Sequence, residues 1–157
     1  RDLHTAYRRQ RQMCIRDRIK GERKMLTETA KRYWTKEYDL NCAECIMYAA
    51  NEEYNLNLSH ETFKTMAGFG GGMASGGVCG AISGAVAVLG IMFTEERGHK
   101  SPKVRAMTQE FIKRFKEEMG YIDCRDLKTK IVNPEEKACS HMIEVSAEIL
   151  ESIIKEG

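Results

Sequence analysis

Apolar positions recur at helical spacing along most of the chain. Leu26, Ala30, Tyr33 and Trp34 fall at i, i+4, i+7 and i+8, which predicts a short amphipathic helix. A second helix runs from Cys42 to about Tyr54, with Cys42, Cys45, Ile46 and Ala49 on one face. Asp39 or Asn41 supplies its N-cap, and Glu44 lies in its first turn, where acid is favoured. Asn55 and Asn57 break that helix, and Ser59 caps a third through Phe63 and Met66, closed at Gly68. Ser101-Pro102 starts a longer one whose stripe is Val104, Met107, Phe111, Phe115 and Met119, ended by Gly120. Asp123 caps a further turn with Cys124 just inside it. Asn133-Pro134-Glu135-Glu136 opens the last helix, with Ala138, Met142, Val145, Ile149 and Ile153 as its stripe and Cys139 at the edge.

One stretch departs from this pattern. Residues 68–77 are glycine-rich, residues 78–93 are apolar on every side, and nothing from Met73 to Phe93 carries a charge. A helix without a polar face has to be enclosed. Gly76, Gly80 and Gly84 recur every fourth residue and would give it a flat side for a neighbouring helix. No strand pattern competes, so the expected fold is all-α, a compact bundle around a buried, glycine-led central helix at about 78–93. The uncharged run is long enough to raise a membrane span, but five of its 21 residues are glycine and two are serine, which favours burial within the protein.

Charge sharpens the domain organisation. Residues 1–24 hold nine Lys and Arg against three Asp and Glu, leaving 16 against 20 in residues 25–157. The basic stretch has no hydrophobic period and resembles translated sequencing-adapter sequence, so residues 1–24 are read as an artefactual or disordered tail, with the native start at Met25. The mildly acidic remainder, 25–157, is expected to be a single domain that does not bind nucleic acid. Nothing resembles a secretory leader, and the expected location is cytoplasmic.

The chemistry must then come from cysteine, of which there are six. Cys42, Cys79 and Cys124 each fall near the start of a predicted helix, and Cys139 within two turns of one. A helix N-terminus presents unpaired N–H groups and partial positive charge, which favours a thiolate. Packing is the competing reading, strongest for Cys45, because cysteine buries readily as a small hydrophobe. Scattered sulfurs could also converge on a metal ion or an iron–sulfur cluster. The glycine run lacks the Lys-Ser/Thr of a phosphate loop, and His60, His99 and His141 pair with no ligand at usable spacing, so they are expected at the surface.

Asn41-Cys42-Ala43-Glu44, Cys79-Gly80-Ala81-Ile82-Ser83-Gly84, Cys124-Arg125-Asp126-Leu127 and Cys139 together resemble the C_GCAxxG_C_C family of redox-active proteins, over roughly residues 30–155. By position the family cysteines correspond to Cys42, Cys79, Cys124 and Cys139. Cys45 stands where the family has a small residue, and Cys14 has no counterpart. The resemblance implies thiol-disulfide exchange or electron transfer through these four cysteines, which allow three pairings; the one taken here has Cys79 exchanging with Cys42, and Cys124 with Cys139 as a second pair or a resolving site. It also implies an unidentified redox partner protein, in a setting associated with transporters. Gly76, Gly77, Gly80 and Gly84 are then where a cofactor or a partner's backbone would approach Cys79. The alternatives are a non-catalytic protein whose same four cysteines ligate iron–sulfur or another metal, and a structural, partner-binding bundle.

Overall fold

The enclosed stretch becomes a helix, Gly80–Phe93, in which no residue is exposed. The structure is a computed structural model and describes residues 25–131 and 139–157. Its elements in chain order are α1 (Leu26–Tyr33), α2 (Cys42–Tyr54), α3 (His60–Lys64), α4 (Gly80–Phe93), α5 (Pro102–Met119), α6 (Cys124–Lys130) and α7 (Ser140–Glu156). The described residues form an all-α bundle of seven helices without a strand. The central helix, α4, packs against α2, α5 and α7, while α1 lies across α2 and α7. No helix among the described residues is long and apolar enough to cross a membrane.

Local chemistry explains most of the boundaries. Asn41 and Glu44 make a reciprocal capping box at the start of α2: the Glu44 amide donates to Asn41 Oδ1 at 2.9 Å, and the Asn41 amide donates to Glu44 Oε2 at 2.8 Å. Ser59 caps α3 by accepting from the Thr62 amide. α5 begins with Pro102 and ends at Gly120, whose φ of 78° is the left-handed C-cap. Met107, Phe111, Phe115 and Met119 bury one face of α5, as their spacing predicts. α1 begins without a local side-chain cap. Its Leu26 amide instead donates to Glu151 Oε1 of α7 at 3.2 Å, a long-range cap with no sequence signature.

Three expectations are corrected. The central helix starts at Gly80 rather than Val78, because Val78 pairs with Asp123 in an isolated antiparallel bridge. Gly76 therefore lies outside α4, and the flat side of that helix is Gly80 and Gly84 alone. Cys139 is not inside the last helix but is its N-cap, with φ of 74°. The expected opening at Asn133-Pro134 and the stripe residue Ala138 lie outside the described residues, as do the 1–24 tail and Cys14.

The glycine run is more ordered than a loop. After a 3-10 turn at Ala67–Phe69, the chain winds through a left-handed turn at Gly72–Gly76. Gly71, Gly72, Met73, Ala74 and Gly76 all have positive φ. Gly72 is confined to glycine twice over: its φ is 64°, and a Cβ there would lie 2.3 Å from the Gly77 carbonyl oxygen.

Candidate functional site

All four family-position cysteines stand at helix N-termini. Cys42 and Cys124 are the first residues of α2 and α6, and Cys79 and Cys139 are the N-caps of α4 and α7. All are buried and present as free thiols. The capping box fixes Cys42, while Cys79 and Cys124 are fixed to each other's strands of chain. The Cys79 amide donates to the Ile122 carbonyl at 2.8 Å, and the Cys124 amide donates to the Gly77 carbonyl at 2.6 Å. These two bonds flank the Val78–Asp123 bridge and join the starts of α4 and α6. From α7, the Ser146 hydroxyl donates to the Ala81 carbonyl at 2.8 Å in the first turn of α4.

Gly80 and Gly84 bring α2 onto α4. A Cβ at Gly80 would stand 2.6 Å from Cys42 Sγ, and one at Gly84 would stand 2.7 Å from the Ala43 carbonyl oxygen. The Cys42 sulfur thus rests on the backbone of the residue that follows Cys79. Gly76 is covered by the Arg125 side chain, and Gly77 faces the Gly72 carbonyl. The close-approach positions expected to admit a cofactor or a partner therefore have the protein's own atoms against them.

Burial dominates the electrostatics of these thiols. Burial pushes the Cys79 thiol up to about 12, the charge of Cys42 adds to this, and the amides of Ala81 and Ile82 pull it partly down. Burial also raises Cys139, reinforced by Cys42 and Cys124 and opposed by Lys128. Cys45 rises to about 12 through burial and then the charge of Cys42. The charge of Cys42 acts on all three, and that of Cys139 also acts on Cys79. For Cys79, desolvation outweighs the helix terminus, so in the closed fold it is a protonated thiol. Cys45 is fully buried, and its thiol donates to the Ala30 carbonyl, 3.3 Å away, in keeping with a packing role.

These raised values set the pH dependence of stability. The unfolded chain releases each proton near 9.0, whereas folded Cys45 and Cys79 hold theirs to about 12. Their contribution is therefore complete below that lower value and is lost as pH rises toward the upper one. The loss is about 1.4 kcal/mol per pH unit for each thiol across that window. Urea unfolding of the reduced protein from about pH 8 to about pH 10.5 should show this decline, shallower in Cys45→Ala. An equal slope in that variant would contradict the assignment.

Among the described residues, no three His, Cys, Asp or Glu side chains are grouped so that they could hold a metal ion. The four sulfurs do not form a ligand set in this arrangement. His60, His99 and His141 are exposed, as expected. Sequence reasoning missed two residues that build the site. Arg125 donates from Nη2 to the Ser75 carbonyl at 3.1 Å. Asn41, expected only as a cap, also donates from Nδ2 to the carbonyls of Met66 and Ala67 at 3.3 and 3.1 Å. No periodicity marks either contact, since both end on backbone oxygens of distant segments.

Comparison with known proteins agrees with the cysteine pattern. The family model described as "Putative redox-active protein (C_GCAxxG_C_C)" matches residues 40–153. No curated protein and no solved structure matches the chain.

Proposed function

The chain belongs to the C_GCAxxG_C_C family, and from that premise we propose that it is a thiol-disulfide exchange protein whose reacting pair is Cys42 and Cys79. The observation that carries this reading is the seating of the Cys42 sulfur against Gly80, beside Cys79 at the start of α4. Two sulfurs at adjoining helix N-termini share amide dipoles that stabilise the thiolate each becomes during exchange.

The reaction takes a disulfide as oxidant. The Cys79 thiolate attacks one sulfur of that disulfide, forming a mixed disulfide and releasing the other half as a thiol. The Cys42 thiolate then attacks Cys79 Sγ, forming the intramolecular disulfide and releasing the second thiol. Two electrons and two protons pass to the substrate. Cys124 and Cys139, at the starts of α6 and α7, are the second pair in this reading.

Titration in dithiol–disulfide buffers over roughly −150 to −350 mV, with acid quench and peptide mapping, tests the reading. The expected result is a reversible Cys42–Cys79 disulfide, lost in Cys79→Ser and retained in Cys45→Ala. Full thiol recovery at every potential would sink the exchange reading. Oxidation confined to Cys124 and Cys139 would overturn the pair.

A further inference from the structure

The residues of that pair are only 6% and 3% exposed, which leaves a disulfide substrate little room at either sulfur in the closed fold. The segment lying against them is unlike the rest of the bundle. Residues 66–77 pass across the starts of α2, α4 and α6, and between Ala67 and Gly77 no residue with a side chain is buried. Met66 anchors the segment's start in the core and Phe69 packs against it, and the remaining holds are on its backbone, each through a residue of the thiol site. Asn41, next to Cys42, donates to the Met66 and Ala67 carbonyls. The Phe69 carbonyl and the Cys42 sulfur crowd the same side of Gly80, where a Cβ would stand 2.9 Å from one and 2.6 Å from the other. Cys124 itself donates its amide to the Gly77 carbonyl. Arg125 donates to the Ser75 carbonyl and lies over Gly76.

The segment is also strained. Met73 and Ala74 have φ of 55° and 53°, a conformation that L-residues adopt only at a cost. Met73 is 55% exposed, so packing does not repay that cost. A segment with little apolar burial and stored backbone strain opens locally, well before its scaffold unfolds.

We propose that residues 66–77 are a strap that closes over Cys42 and Cys79 and must lift before either sulfur reacts, and that the exposed Arg125 side chain is its latch. The strap's meaning as a gate for a disulfide substrate rests on the exchange reading above. Its opening does not, and is measurable without any redox step.

The test is the alkylation rate of each cysteine in the reduced full chain with N-ethylmaleimide, read by peptide mass spectrometry, alongside urea unfolding. Cys45 lies in the core away from the strap and serves as the clock for global unfolding. Cys42 and Cys79 should react faster than Cys45, with rates that barely change at low urea while that of Cys45 climbs toward the midpoint, and Arg125→Ala should accelerate both by about tenfold, the value of one hydrogen bond to a charged group lost from the closed fold. Met73→Gly relieves left-handed strain in the closed form and should slow both by about threefold. If Cys42 and Cys79 react no faster than Cys45 and share its urea dependence, the thiols open only by global unfolding and the strap is overturned. Wild-type rates equal to those of a free thiol would overturn it too. A normal strap response with no disulfide at any potential would instead remove the exchange reading and leave the strap standing.

Discussion

Gly80→Ala should uncouple Cys42 from Cys79, whereas Gly84→Ala should weaken the same helix seam and leave the two thiols paired. The added methyl group at Gly84 meets backbone: 2.7 Å to the Ala43 carbonyl oxygen, 3.1 Å to its Cα and 3.2 Å to Ile46 Cβ. None of these can swing aside, so α2 and α4 must separate, at a cost of about 1–3 kcal/mol. Replacing a helical glycine by alanine returns about 0.5–1 kcal/mol, leaving a net loss. At Gly80 the nearest atom is Cys42 Sγ, at 2.6 Å, with the Phe69 carbonyl at 2.9 Å. A side-chain sulfur can rotate away. A change of Cys42 rotamer carries the sulfur off the start of α4, while the Phe69 carbonyl is backbone and shifts with its segment, so this variant also loses some stability. Urea unfolding and disulfide mapping of oxidised protein separate the two effects. Gly84→Ala should lower the midpoint yet still form the Cys42–Cys79 bond, and Gly80→Ala should form it at least tenfold more slowly, since a methyl group occupies its place. Wild-type disulfide formation in Gly80→Ala would remove that glycine from the thiol site.

The helices were legible because each rests on a local rule. The Asn41–Glu44 box, Ser59, Pro102 and Gly120 act within one turn of the elements they bound, so spacing alone finds them. The uncharged 78–93 stretch could only be an enclosed helix. Its true start is hidden from the sequence because Val78 is held by Asp123, forty-five positions away, and a one-residue bridge leaves no alternation to read. The capping of α1 by Glu151 was invisible for the same reason.

The candidate site was legible in kind and not in surroundings. Cysteines near predicted helix starts proved to be at helix starts, with Cys139 nearer than its spacing suggested. The expected electrostatic consequence did not follow for Cys79, because the helix terminus acts on a sulfur that packing has desolvated, and burial is the larger cause. Burial depends on what lies across the helix end, and here that is a glycine-rich segment with no hydrophobic pattern. Its left-handed turn is encoded only as glycine frequency. Met73 and Ala74, the two positions where the strain is stored, look like ordinary residues in the sequence.

Asn41 joins the scaffold to that segment, and its substitution should have the largest effect of any polar residue in the site. It caps α2 through Oδ1 and ties down the Met66 and Ala67 carbonyls through Nδ2. Asn41→Ala removes both functions. Loss of the cap costs about 1 kcal/mol, and loss of two bonds to carbonyls costs about 0.5–1.5 kcal/mol each. The variant should therefore be roughly 2–4 kcal/mol less stable, with Cys42 exposed to alkylation. Asn41→Asp separates the two functions, since a carboxylate still accepts from the Glu44 amide and suits a helix N-terminus. It has no N–H to offer the two carbonyls, and its charge repels them. Asn41→Asp should keep the helicity of α2 and regain only the cap's share of stability, about 1 kcal/mol over Asn41→Ala, while Cys42 reacts as fast as in Asn41→Ala. If Asn41→Asp instead protects Cys42 as well as the wild type does, the amide's hold on the Met66 and Ala67 carbonyls is incidental. The strap would then be anchored at its 75–77 end, through Arg125 and Cys124.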